Sequence, residues 1–378
     1  MQWYAWMLTK TDSRDLHSSL CFIQFLAWLL FLTSAFLGFS CRSTGRGATP
    51  ESQPHEVGTS GPVLSPTHLV TQISRVSLPK DDAPHLNSRT EWWYYNGNFT
   101  DAEGNRYSFH YVVFQVSIPN LAPVNVFHIA ISDYKTGTYL TDQRLIPAVA
   151  RKDVSGFDFN ATDWAISGYD GNDELKTSIG SYGLALSLHA LKSPVLHGSG
   201  GIINFGQASQ SYYYSRTRMN ITGKITMSGR ESAVRGEAWF DHQWGDFAPQ
   251  SLSWDWFSLR LTDGSDLMLY QIRDTKGKFI AKLGTLVKAD GTSVALLSND
   301  FKVEALGTWK SLNTGIVYPI EWTLEIPSSS VLVHLRPLLD NAEFDATRTT
   351  RNSYWEGAVT VTGSHQGDGF LELAGYFL

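Results

Sequence analysis

The chain is poor in cysteine, and its two cysteines, Cys21 and Cys41, both lie near its start. No disulfide and no thiolate metal site can therefore form within the residues after position 41. Charge is also scarce, since 17% of the 378 residues are charged and the formal net charge is -6. A nucleic-acid binder would show a basic patch, so we expect no nucleic-acid partner.

Common catalytic signatures are missing as well. The glycine-rich stretch LHGSGGIINFG at residues 196–206 contains no Gly-x-Ser-x-Gly elbow and lacks the strand-then-helix context of a phosphate-binding loop. No two histidines stand four residues apart beside a glutamate, so we expect no zinc or other metal. The sequence thus predicts no cofactor and no covalent nucleophile.

An apolar run is present at residues 20–39, and Cys41 follows it directly after small residues. This arrangement is similar to a bacterial lipoprotein leader, in which that cysteine is lipidated. We interpret residues 1–41 as a signal peptide or lipoprotein leader. Residues 42–66, rich in Gly, Ser, Thr and Pro, are interpreted as a flexible tether. The prediction is an exported, membrane-anchored lipoprotein of the cell envelope, periplasmic or on the outer surface. An uncleaved anchor and ordinary cleavage nearby are the alternatives.

The rest of the chain is typical of strands and hairpins. Residues 252–261 and 266–273 flank Thr-Asp-Gly-Ser, a strong hairpin signal, and residues 91–99 and 106–118 flank a similar turn. The two hairpins form a faint repeat with a separation of about 162 residues. We predict an all-β protein with two tandem antiparallel β-barrel domains, residues 67–235 and 236–378.

Acids and indoles stand side by side in GEAWFDHQWGD, residues 236–246. Because side chains alternate along a strand, Asp241 and His242 should point in opposite directions unless the strand ends or bulges at Gly245. One interpretation is structural: a carboxylate accepts the N–H of a buried indole. The other is chemical: a carboxyl surrounded by rings has a raised pKa and acts as a general acid, while indole faces stabilise a developing cation. Both interpretations also apply to Glu91.

Four stretches together resemble the AttH-like/carotenoid 1,2-hydratase (hydroxyneurosporene synthase) family of lipocalin-like proteins: residues 80–115, 236–246, 253–273 and 354–376. The resemblance extends from about residue 68 to the end of the chain. It implies two lipocalin-like β-barrels with a pocket at or between them. Hydratase members of the family add water to a terminal C=C bond of an acyclic carotenoid without a metal or organic cofactor. Other members are secreted hydrolases or parts of an ABC export system.

The resemblance also assigns residues by position. His242 and Trp244 match the His-x-Trp of the hydratase motif, and Tyr270 matches its downstream tyrosine. The aspartate expected two residues after that tyrosine is absent, because Ile272 stands there. The acid would then come from Asp241 or Glu91.

Two functions from different classes follow. The first is binding of an apolar ligand (isoprenoid, carotenoid or lipid-like) with hydration or isomerisation of an alkene by acid catalysis. The proton donor would be Asp241 or His242, and the ligand-binding residues would be Glu91, Trp93, Trp244, Trp256 and Tyr270. The second is a non-enzymatic envelope lipoprotein that binds a lipid or serves an ABC-type export system, with the same aromatic residues as a passive pocket.

Overall fold

A computed structural model describes residues 75–117, 122–148, 155–205 and 210–377. Twelve strands form a first antiparallel sheet: β1 (Thr90–Asp101), β2 (Arg106–Val116), β3 (Val124–Asp133), β4 (Thr138–Pro147), β5 (Phe157–Ala161), β6 (Trp164–Tyr169), β7 (Asn172–Ile179), β8 (Tyr182–Ala190), β9 (Val195–Leu196), β10 (Ile202–Asn204), β11 (Gln210–Met227) and β12 (Arg230–Gly245). Ten strands form a second sheet: β13 (Leu252–Leu261), β14 (Asp266–Asp274), β15 (Phe279–Val287), β16 (Ser293–Leu296), β17 (Lys302–Lys310), β18 (Val317–Ile326), β19 (Val331–Pro337), β20 (Glu343–Asp345), β21 (Ser353–Gly363) and β22 (Gly367–Ala374). The helical segments of the described residues are short 3-10 turns: Lys80–Asp82, Pro249–Ser251 and Pro327–Ser329.

The two sheets have the same strand order. The first reads β4-β3-β2-β1-β12-β11-β8-β7-β6-β5, and the second reads β16-β15-β14-β13-β22-β21-β19-β18-β17. The orders match over nine positions when β13 takes the place of β1 and β22 that of β12, and the first sheet continues with one more strand, β5. Asn96 of β1 donates a hydrogen bond of 3.1 Å to Ser258 of β13, 162 positions later, which is the spacing of the sequence repeat. The equivalent strands β1 and β13 therefore contact each other.

Burial follows from this packing. An outer strand such as β18 alternates between buried and partly exposed residues, whereas the central strands β1, β2 and β13 are buried along nearly their whole length. One face of a central strand turns into the core of its own sheet and the other turns toward the second sheet. The buried apolar residues accordingly form one cluster within each sheet and two that draw on both, one of them small. The predicted fold class is confirmed: the protein is all-β, with two nearly closed sheets consistent with tandem lipocalin-like barrels.

The division between the sheets falls later in the chain than the predicted boundary at residue 235/236. The last strand of the first sheet, β12, ends at Gly245, and the first strand of the second sheet begins at Leu252. Residues 236–245 were assigned to the second half, but they pair with β1 and β11. A sequence pattern shows that a strand is present, whereas its sheet depends on distant partners.

The predicted leader (1–41), tether (42–66) and lipidation site (Cys41) lie outside the described residues. Within the part of the chain that the structure describes, no helix is long and apolar enough to cross a membrane.

The segment before β1 contributes a buried charge to the first core. Asp82, at the end of the turn Lys80–Asp82, is fully buried, and both of its carboxylate oxygens accept hydrogen bonds of 2.9 Å from Arg216. Tyr214 donates a further hydrogen bond to Asp82, and the indole N–H of Trp93 donates to the Asp82 carbonyl oxygen at 3.1 Å. This network ties the segment to β1 and β11.

Candidate active site

The strand β12 sends Asp241 and His242 to opposite sides of the first sheet. It pairs with β1 without a register shift from Val234 to Gly245, so neither a bulge against β1 nor an early strand end brings the two side chains together. Asp241 contacts Tyr213 and Trp239 in the cluster between the sheets, whereas His242 contacts Glu91 within the first barrel. The predicted divergence is confirmed. A model in which both residues line one cavity is therefore wrong.

A cavity of about 60 Å³ lies between the two sheets, next to Asp241. Aromatic rings form most of its wall: Trp92, Tyr94, Phe114, Tyr213, Trp254, Trp256, Tyr270 and Tyr354. Its polar lining includes Asp241, Gln243, Glu356 and Glu372. Two of the predicted ligand-binding residues, Trp256 and Tyr270, lie here with Asp241, but Trp93, Trp244 and Glu91 do not. We refer to this site as the cleft.

Asp241 is the buried acid that the first sheet contributes to the cleft. One of its oxygens accepts a hydrogen bond of 2.6 Å from the indole of Trp239 and another from Ser215, and the other oxygen accepts one of 2.6 Å from Tyr213. Burial raises the pKa of Asp241 to about 7, although these hydrogen bonds oppose the shift. The carboxyl thus anchors an indole, as the structural interpretation expects. It also changes protonation state near neutral pH, as a general acid requires.

Two further acids, missed by the sequence analysis, face Asp241 from the second sheet. Glu356 of β21 and Glu372 of β22 are paired neighbours, and Tyr94 donates a short hydrogen bond to Glu356. Burial, followed by repulsion from Glu372, raises the pKa of Glu356 well above its ordinary value, and burial also raises the pKa of Glu372. A signal was present in YWEGAV and FLELAGY, where one acid stands among apolar residues on an inward-facing position.

The remaining predicted residues meet inside the first barrel. Glu91 Oε1 lies 2.7 Å from His242 Nε2 and 2.8 Å from His85 Nδ1, and Glu91 Oε2 accepts a hydrogen bond of 2.7 Å from the His85 backbone. The Trp244 ring stacks on His85 at 4.0 Å, and the Trp93 ring stacks on His242 at 4.5 Å. We call His85, Glu91 and His242 the His-Glu-His group. Glu91 and these aromatic rings therefore lie on the same face of the sheet. The carboxylate forms its hydrogen bonds with imidazoles, however, and not with indoles.

The protonation states within this group differ from residue to residue. Burial alone would lower the pKa of His85, but the nearby carboxylate of Asp81 and the hydrogen bond with Glu91 raise it to about 9. Burial would raise the pKa of Glu91, but hydrogen bonds from His242 and His85 outweigh it, so this pKa is lowered. Burial dominates for His242 and lowers its pKa despite the contact with Glu91. An ionised carboxylate thus lies between a charged and a neutral imidazole.

The two sites offer different chemistry. The cleft combines acids of raised pKa with aromatic faces, a set that can donate a proton and stabilise a cation. The His-Glu-His group is the one cluster of three His, Cys, Asp or Glu side chains, among the described residues, whose donor atoms lie close enough to share a metal ion. Sequence spacing could not reveal it, because β1 and β12 join residues from distant parts of the chain.

Known proteins resemble both the sequence and the fold. Kievitone hydratase of Fusarium solani subsp. phaseoli is 26% identical over 198 residues, which are 50% of this chain and 55% of that protein. Dehydratase asqC of Emericella nidulans is 23% identical over 190 residues, 48% of this chain and 54% of that protein. The chain thus spans about half the length of the curated relatives it matches. These relatives are enzymes that add or remove water.

A solved structure matches over a larger part of the chain. The crystal structure of a protein described as AttH from Nitrosomonas europaea is 28% identical, covers 82% of this chain and 99% of its own, and superposes with a TM-score of 0.75. The model of the AttH-like family matches residues 69–376, which include both sheets. The chain therefore belongs to the AttH-like family.

Proposed function

We propose that the protein adds water to, or eliminates water from, a carbon–carbon double bond of an apolar substrate, with the cleft as the active site. One observation carries this proposal: Asp241, Glu356 and Glu372, three acids of raised pKa, converge with aromatic rings on a single cavity. The named activities of the relatives, a hydratase and a dehydratase, support the same class of reaction.

Each catalytic group has a role in this mechanism. In the hydration direction, protonated Asp241 transfers its proton to one alkene carbon, the π bond breaks, and positive charge develops on the other carbon. The faces of Trp256 and Tyr270 stabilise that charge. Water then forms the new C–O bond, and its proton passes to the carboxylate of Glu372. The proton returns to Asp241 through solvent, so that the net change is addition of one water molecule.

The Glu356–Glu372 pair suits the role of base. Because two neighbouring carboxylates repel each other, the pair holds one proton more readily than none. Burial and repulsion from Glu372 keep Glu356 protonated, which leaves Glu372 as the member that takes up a proton from water. Dehydration is the reverse sequence, with Glu372 as the acid.

The size of the cavity bears on the substrate. At about 60 Å³ it is far smaller than the 300–1,000 Å³ of pockets that enclose whole drug-sized ligands. We expect it to enclose only the reacting double bond of an isoprenoid, carotenoid or similar chain. A carrier that buries an entire lipid would need a larger chamber than the cleft.

The test compares Asp241→Asn and Glu372→Gln with the parent on a panel of linear polyenes and their tertiary alcohols in H₂¹⁸O. The parent should transfer ¹⁸O into the alcohol, detected by mass spectrometry, and each variant should lose about 10²–10⁴-fold in rate. Glu237→Gln is the matched control, because Glu237 lies on β12 on the same face as Asp241, pairs with Arg218 at 2.8 Å and does not line the cleft.

Ligand retention and melting temperature decide between the two functions. Lost turnover with retained ligand and no decrease in melting temperature supports the enzyme. A parent that turns over no member of the panel but co-purifies with a lipid, together with variants that only melt earlier, would establish the binding protein instead.

A further inference from the structure

We propose that the His-Glu-His group binds a divalent transition-metal ion of the zinc type at the rim of the first barrel. The site is distinct from the cleft, because His242 and Asp241 leave β12 on opposite faces. The inference does not rest on the proposed hydratase activity.

The donor atoms already converge on one point. Both imidazole nitrogens approach the same carboxylate oxygen of Glu91, at 2.7 and 2.8 Å, and all three donors lie within 4.8 Å of one another. Zinc binds nitrogen and oxygen ligands at about 2.0–2.2 Å, so tetrahedral ligands are roughly 3.3 Å apart. A metal ion would replace the protons that now bridge these atoms, and each nitrogen would move about half an ångström away from Glu91 Oε1.

The chemistry of the donors selects the class of metal. Two histidines and one carboxylate form a ligand set known from zinc enzymes, in which a fourth position remains for water. Calcium and magnesium prefer oxygen ligands throughout, so a site with two imidazoles disfavours them. Fully buried His242 has a hydrogen bond to Glu91 alone, while its Nδ1 has no partner among the described residues. Exchanging that single bond for a metal bond sacrifices no other contact of the ring.

The surroundings of the group fit a bound ion as well. Ligand histidines usually present their second nitrogen to a carboxylate, and His85 Nε2 lies 3.7 Å from Asp81 Oδ1. Stacking on Trp244 and Trp93 orients the two imidazoles. The His85 side chain is 24% exposed, whereas Glu91 and His242 are buried, so an ion would approach from the His85 side.

The experiment uses full-length, tag-free protein stripped with a chelator and titrated with Zn²⁺ and Co²⁺. We expect one ion per chain by elemental analysis, a dissociation constant in the micromolar range or below, and a visible Co²⁺ absorption band. His85→Ala should weaken binding by more than 100-fold. Asp81→Asn should weaken it by about 10–100-fold, as for other outer carboxylates. The matched control, His189→Ala, removes an exposed histidine bonded to Asn172 and should bind as the parent does.

Two results would overturn the site. The first is that no stoichiometric ion is bound at 100 µM metal, a concentration on the order of the dissociation constant of a weak surface association. The second is a metal affinity that is unchanged in His85→Ala. Because His85 is partly exposed and lies before β1, this variant keeps the buried pair of Glu91 and His242 and tests the ligand set without disturbing the core. Metal should also raise the melting temperature of the parent but not of His85→Ala. If the metal site is refuted, turnover in the cleft is still expected. The two proposals are therefore tested independently.

Discussion

The free energy of unfolding of the parent should decrease as the pH rises, because Asp241 becomes ionised. Replacing Asp241 by asparagine should abolish this decrease. The pKa of Asp241 is about 7 in the fold and 3.8 in its ordinary state, a difference of about 3 units. Each unit is 1.36 kcal/mol, so ionised Asp241 costs the fold about 4 kcal/mol. Well below pH 3.8 the carboxyl is neutral in both folded and unfolded chains, and the cost is absent. Above pH 7 it is ionised in both, and the full cost is present.

Urea unfolding followed by tryptophan fluorescence at pH 4.5, 6 and 8 measures this difference. Relative to the parent, Asp241→Asn should gain about 3 kcal/mol in free energy of unfolding between pH 4.5 and pH 8, because about 1 kcal/mol of the cost is already present at pH 4.5. Contributions from Glu356 and Glu372 occur in both proteins and largely cancel. Glu237→Gln should show no such gain. If the difference between parent and Asp241→Asn is the same at pH 4.5 and pH 8, then Asp241 is ionised in the fold without penalty and cannot be the proton donor at neutral pH.

Two further predictions concern other parts of the chain. Asp82→Asn leaves Arg216 buried without its counter-ion and should lower the free energy of unfolding by about 3–5 kcal/mol, measured by thermal unfolding. The control Glu103→Gln breaks an exposed pair with Arg230 and should have the melting temperature of the parent. Equal melting temperatures of both variants would contradict the role of the buried pair. If Cys41 is lipidated, Cys41→Ser should release the protein from the membrane fraction, and a variant that stays as firmly bound would point to the apolar run 20–39 as the anchor.

The features that local sequence predicted are those that depend on neighbours in the chain. Hairpin turns and alternation are local, so the all-β class and the opposite directions of Asp241 and His242 were predictable. The partners of a strand are not local. His85 meets His242 only because Glu91 lies opposite Trp244 in the pairing of β1 with β12. The same limit explains why residues 236–245 pair within the first sheet although the sequence pattern predicts them in the second half, and why the predicted site residues lie in two places.

The acids of the second sheet illustrate a different limit. Glu356 and Glu372 are conspicuous in their apolar surroundings, but nothing in either segment shows that β21 and β22 pair with each other or that β22 also pairs with β13. An acid among apolar residues is ambiguous until its neighbours are known. Only the register places Glu372 opposite Trp256 and thereby in the cleft.

The strand order also dictates when these sites can come into existence during folding. Thr90 of β1 pairs with Gly245 of β12, 155 positions later, and Trp256 of β13 pairs with Glu372 of β22, 116 positions later. We call these two strand pairings the seams of the sheets. Most other pairings link strands that are neighbours in sequence. Closing a long loop is slow relative to forming a hairpin. Glu91 and His242 lie on opposite sides of the first seam, as do Tyr94 and Asp241. A chain in which these distant strands have not yet paired would keep most of its hairpins and much of its circular dichroism signal. It would contain neither the cleft nor the His-Glu-His group.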